Sequence, residues 1–161
     1  MIWLRIDNRL IHGQVIETWI PYLKTWQLVV ANDCLVMDSE QQHIVRLAIP
    51  KAITAFFVSV AGTSDLLASL APRKINTLVV VAECQDARMI IEQGGCVDMV
   101  NVGNLHYAPG KEQMCSHAAL SSHDILCLDF IFQRAIPLDF RCVPNDSGKE
   151  ISRWIMRSRL P

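Results

Sequence analysis

Residues 79–82 read VVVA and residues 56–60 read FFVSV, runs so continuously apolar that they leave no face for water. A strand with one wet face alternates apolar and polar side chains, so these segments belong to a parallel sheet covered by helices on both sides. The same kind of run recurs, which places strands at Ile2 to Asp7, Gln27 to Ala31, Ala55 to Val60, Thr77 to Ala82 and Asp98 to Val102. Helical-period segments lie between them at Gln14 to Leu23, Ser39 to Ala48, Ser64 to Leu70 and Asp86 to Gln93, the last stopped by Gly94-Gly95.

After Gly110 the rhythm changes. A short piece at Ala118 to Leu120 precedes a helix from Ser122 to Arg134 capped by Ser121 or Ser122, a strand at Leu138 to Val143 and a C-terminal helix near Lys149 to Arg157. The expected fold class is α/β: a three-layer, open, mostly parallel sheet of about seven strands with helices on both faces, its last strands free to run antiparallel. No linker or repeat interrupts residues 1–161, and 161 residues suffice for one domain with a substantial core.

Charge narrows the partners. Fifteen Lys and Arg against sixteen Asp and Glu leave no global field for nucleic acid or an anionic membrane, so charge-based recognition has to be local. The apolar start meets Arg5 and Asp7 at once, and no run approaches the ~18 apolar residues of a membrane span, which predicts a cytoplasmic protein without membrane insertion. The six cysteines are widely scattered and read as buried small hydrophobes. Cys115, His117, His123 and Cys127 tempt a zinc reading, but the spacing lacks a paired cysteine knuckle and crosses from strand to helix, so no metal site is expected.

The informative break is LRIDNRLIHGQV, residues 4–15, where two arginines, an aspartate and a histidine interrupt the first apolar run. In an open parallel sheet, ligands bind beyond the carboxyl ends of the strands, which is where this loop falls. By the same rule its neighbours come from Asn32-Asp33, Ser59, Glu83-Cys84 and the 103–106 segment that ends in His106. His12 stands just before a helix start whose free N–H groups, at Gly13 and Gln14, attract an anion. Arg9 offers a guanidinium fork for phosphate, and an unprotonated imidazole is a nucleophile. Neither a P-loop nor a dinucleotide fingerprint is present, so a phosphoryl group here would not come from a bound nucleotide. On the residues alone, the loop fits either a covalent phosphate carrier or a structural His–Arg pair.

RIDNRLIHGQV closely resembles the R-I-D-[DN]-R-L-I-H-G-Q-V signature of the IIB components of the mannose/fructose/sorbose family of the bacterial phosphotransferase system. Trp19, VVANDCLVMD, the Leu47-Ala48-x-Pro50 stretch, VNVGNLHYAPGK and FRCVPND extend the resemblance over almost the whole chain. It implies a phosphocarrier in which His12 accepts a phosphoryl group from a phosphohistidine of a IIA protein and passes it to a sugar carried by a membrane IIC/IID complex. Arg9 matches the phosphate-loop arginine, with Gly13 and Gln14 as phosphate-binding amides and Asp7, Asn8, Asn32, Asp33, Ser59 and His106 as supporting positions. No cofactor beyond the phosphohistidine is implied. Asn8 departs from the common aspartate, as do Cys34, Leu35 and Val36 from the usual charged residues.

Two rivals share the loop: a regulatory phospho-acceptor without a cognate transporter, and a non-catalytic binding module on the same fold. Elsewhere, His106 is read as ordering its loop through its ring nitrogens, His43 as solvated, and Trp3, Trp19, Trp26 and Trp154 as core. The basic residues Arg153, Arg157 and Arg159 read as a solvated helix end.

Overall fold

Strand β1 (Ile2–Asp7) is flanked on both sides by parallel partners, β4 (Thr77–Val81) and β5 (Met99–Asn104), in a computed structural model that describes residues 1–146. Outward from β4 lie β2 (Gln27–Ala31) and β3 (Thr54–Val58); beyond β5 lies β8 (Leu138–Asp139). The sheet therefore has six strands in the order 3-2-4-1-5-8, all parallel. The chain leaves β1 toward β2 and leaves β5 toward β8, so the loops after β1 and β5 diverge and open a crevice between them, the usual ligand position in such sheets.

Alternate side chains supply two cores. Leu4, Ile6, Val79, Val81, Val100 and Val102 pack under α4 (Thr63–Leu70), α5 (Cys84–Glu92) and α6 (Ser122–Gln133). On the other face, Trp3, Leu28, Val30 and Val80 meet Val15, Trp19 and Ile20 of the segment after β1, and Leu35 of α2 (Asp33–Met37). The runs of β2 and β4 were thus read correctly as strands buried on two faces, whereas β3, at the edge of the sheet, is only partly buried. Helix α3 (Ser39–Ala48) begins at the cap made by Asp38, whose carboxylate accepts the Gln41 N–H at 2.8 Å.

Several boundaries moved for identifiable reasons. The Ala118–Leu120 strand, β7, pairs antiparallel with β6 (Glu112–Cys115) in a separate ribbon, touching the main sheet by one bridge to Leu105. The antiparallel pairing lies in that ribbon, while β8 runs parallel to β5. The strand expected through Val143 stops at Asp139, because the carbonyls of Asp139 and Arg141 accept from the Asn101 side chain and the Asp146 carboxylate turns the chain by accepting the N–H groups of Cys142 and Val143. The unforeseen α2 is capped by Asn32, whose side-chain oxygen accepts the Leu35 N–H at 2.9 Å. The expected helix from Gln14 contains a π-helical turn, Val15–Trp19, before the short α1 (Ile20–Leu23).

Trp3 and Trp19 are core residues, but Trp26 stands 58% exposed at the open edge where β2 begins. Of the cysteines only Cys84 and Cys127 are buried; Cys34 on α2 and Cys96 in the turn between α5 and β5 are exposed. Trp154, the basic arginines and the C-terminal helix expected near Lys149 to Arg157 lie outside the described residues. Among the described residues no helix is long and apolar enough to cross a membrane.

Candidate active site

Past Asp7 the chain reverses sharply: the Leu10 N–H donates to the Asp7 carbonyl at 2.9 Å, and Leu10 takes a left-handed φ of 54°. That conformation costs a leucine about 1–2 kcal/mol, strain typical of loops whose geometry serves a ligand. The reversal folds Arg9 and His12 back over the Asp7 carboxylate, which has no solvent exposure.

Asp7 is the hub. Its Oδ2 accepts from Arg5 Nη2 at 2.7 Å and faces His12 Nε2 at 3.0 Å; its Oδ1 accepts from the backbone N–H and the Nε of Arg9, both at 3.2 Å. Burial alone would push this carboxyl up, but the Arg9 hydrogen bonds, the Arg5 charge and the His12 contact together hold it below the usual carboxylate range. An ionised Asp7 accepts only, so the proton between it and His12 belongs to Nε2. The other ring nitrogen, Nδ1, accepts the Gln14 N–H at 3.3 Å and keeps its lone pair.

Arg9 is half-exposed and braced: Nη2 donates to the Gln14 side-chain oxygen at 2.8 Å, and Nη1 has no partner among the described residues. Gly13 faces open space, since a Cβ there would meet nothing within 4 Å. Asn8 stitches the loop to both neighbouring strand ends, its Nδ2 donating to the Ala82 carbonyl at 2.9 Å and its Oδ1 accepting the His106 N–H at 2.6 Å. His106 thus orders the loop through its backbone amide, not its ring.

Asp7, Asn8, Arg9, His12, Gly13, Gln14 and His106 come together. Asn32 borders a groove of about 270 Å³ beside Arg9 that is floored by Leu10, Ile11, Leu35 and Val45. Asp33 and Ser59 instead stitch the outer strands: Asp33 accepts the Val60 N–H at 2.9 Å and the Ser59 hydroxyl accepts the Gly62 N–H at 3.1 Å. The Cys/His stretch divides into pairs, with Cys115 beside His117 at 3.3 Å and Cys127 beside His123 at 3.9 Å. Among the described residues no three His, Cys, Asp or Glu side chains converge on a common point for a metal.

Sequence reasoning placed the 103–106 segment beside the loop but missed the layer beneath it, where Arg5, Asn101, Trp19 and the Cys142 carbonyl meet around one guanidinium against Gly103. Two signals pointed there, a charged residue amid the apolar IWLRID and a glycine inside the strand MVNVGN.

Residues 1–160 match the family of PTS system sorbose subfamily IIB components. The N-acetylgalactosamine-specific phosphotransferase enzyme IIB component 1 of Escherichia coli is 32% identical over 148 residues, 91% of this chain and 93% of that protein. Its crystal structure superimposes with a TM-score of 0.85, covering 91% of this chain and 97% of that one. The IIB domain of the Klebsiella pneumoniae sorbose permease, 24% identical, shares the fold over the full length of this chain and 99% of that one, with a TM-score of 0.88. The fold, the length of the match and the signature loop place this chain in the IIB component family of the sugar phosphotransferase system.

Proposed function

We propose that the chain is a phosphocarrier that takes a phosphoryl group from a IIA phosphohistidine onto Nδ1 of His12, then delivers it to a sugar bound by a membrane IIC/IID complex from the cytoplasmic side. The observation that carries this reading is the contact of His12 Nε2 with the buried Asp7 carboxylate at 3.0 Å, which leaves Nδ1 as the unprotonated nitrogen, its lone pair engaged only by the Gln14 N–H.

In this reading Nδ1 attacks the donor's phosphorus in line, the donor's P–N bond breaks, and its imidazole leaves with the electron pair. The His12 ring, now substituted on Nδ1 and protonated on Nε2, carries a positive charge that Asp7 balances. The Gln14 N–H, released from Nδ1, and Arg9 are then free to turn to the phosphoryl oxygens. In the second step a sugar hydroxyl attacks phosphorus, loses its proton to water, and returns the lone pair to Nδ1. No metal or organic cofactor takes part.

The test is incubation with phosphoenolpyruvate, the general phosphotransferase proteins and a IIA donor, followed by nitrogen–phosphorus coupling to identify the modified nitrogen. An acid-labile phosphate on His12 Nδ1, absent from His12→Ala, is the expected result. A phosphate on Nε2, or none, sinks the reading.

A further inference from the structure

Arg5 sits at full burial within β1, and the transfer steps above do not touch it. A guanidinium taken out of water persists only when its donors are satisfied and its charge is balanced. Nε and Nη2 donate to Asp7 Oδ2 at 3.2 and 2.7 Å, Nη1 donates to the Asn101 side-chain oxygen, and Nη2 reaches the Cys142 carbonyl at 3.3 Å. The Trp19 ring lies 5.0 Å from its central carbon. Across from it, Gly103 supplies the room: a Cβ at that position would sit 2.2 Å from the same carbon.

The arrangement bears on His12 through a single atom. Asp7 Oδ2 faces His12 Nε2 and also takes both Arg5 donors, so the negative charge that would stabilise an imidazolium is shared with a permanent cation. Without Arg5 the whole carboxylate charge would act on His12 and hold its second proton, the one that fills Nδ1.

We infer that Arg5, seated in the slot left by Gly103, is a positioning residue for phosphoryl transfer that sets the proton affinity of His12 through the shared oxygen of Asp7. This rests on His12 being the phosphoryl acceptor. The other charged or titratable groups around the network are Arg9 in the loop, Cys142 and Asp146 after β8, and His117 ahead of β7, all present and unchanged in the variants below.

The test reads the titration of the His12 imidazole by NMR in the unphosphorylated chain, together with the pH profile of single-turnover transfer. In the wild type the nitrogen shifts should report the Nε2–H tautomer. Arg5→Met removes the charge, Arg5→Lys keeps it without the fork, and Gly103→Ala leaves every charge in place but evicts the guanidinium. Leu67→Ala, in the opposite core, weakens the fold without touching the network.

Met and Ala variants should raise the His12 midpoint by roughly half a unit to one unit, slowing transfer by about three- to tenfold at pH values well below the midpoint and by progressively less as the pH rises past it. Lys should restore most of the wild-type midpoint, and Leu67→Ala should leave it in place. Unmoved midpoints in folded Arg5 and Gly103 variants overturn the inference, as does an equal shift in Leu67→Ala. Should those variants not fold, a wild-type His12 with its proton on Nδ1 overturns it alone. A wild type that never labels on His12 defeats the transfer reading but leaves the titration result standing.

Discussion

The indole N–H of Trp19 donates to the backbone carbonyl of Cys142 at 3.0 Å, tying the π-helical turn behind the loop after β1 to the segment after β8. The ring is fully buried, 6.0 Å from Trp3 and edge-on to Tyr22 at 5.8 Å, so one side chain joins packing to a long-range hydrogen bond.

Trp19→Phe keeps most of that packing and loses the N–H. The Cys142 carbonyl still has Arg5, so nothing is orphaned and the cost should be about 1 kcal/mol, a fall in Tm of roughly 2–4 °C. Trp19→Ala should cost about 3–5 kcal/mol. Urea unfolding separates the two; a Phe variant as unstable as the Ala variant would assign the effect to the hydrogen bond.

Arg9 both serves the proposed transfer and braces Asp7. Arg9→Gln should slow single-turnover phosphorylation by about ten- to a hundredfold, and Arg9→Lys by less, since a lysine keeps charge without the fork. Because Arg9 donates to a buried carboxylate, Arg9→Gln should also lose about 1–3 kcal/mol of stability. Equal transfer rates in all three proteins would remove Arg9 from the chemistry.

Asn8→Asp replaces an amide that donates and accepts with a carboxylate that only accepts. The Ala82 carbonyl loses its donor and a charge arrives next to Asp7, so unfolding free energy at neutral pH should drop by about 1–2 kcal/mol. The penalty should shrink in high salt, which screens the charge but cannot replace the hydrogen bond. An unchanged stability would show that the loop is held to β4 by other contacts.

Two carboxyls pull the pH dependence of stability in opposite directions. Asp7, held low, contributes stability that is present above about pH 3.9 and lost as pH falls through its lower folded value. Asp86, pushed up to about 6 by burial, contributes stability that is full below about pH 3.9 and lost as pH rises through about 6. Relative to wild type, Asp86→Asn should therefore gain stability between about pH 4 and 7. Unfolding midpoints at both ends of that window check this, and a constant difference between the two proteins would contradict it.

What was legible in the sequence follows from the range of the interaction. Strands β1 and β2 and helix α3 were read to their observed ends, because apolar runs and caps such as Asp38 act on adjacent residues. The loop residues Asp7, Arg9, His12 and Gln14 were legible for the same reason. The layer under the loop was not: Arg5 meets Asn101 across 96 residues and Cys142 across 137, partners that only strand order and register can supply. Trp26 misled because an aromatic in the bend just before a strand has the composition of core without being covered like the strand's own side chains.

The sheet order also sets a timetable. β1 pairs with no strand before β4, and its second neighbour, β5, comes later still; the Cys142 carbonyl that completes the Arg5 cage arrives after both. A ribosome therefore releases the segment bearing His12 long before anything can hold it in shape. A growing or shortened chain lacking residue 142 would carry the signature loop while leaving a cation partly unsatisfied beneath it. Possession of the motif and competence to use it are separated by most of the length of the protein.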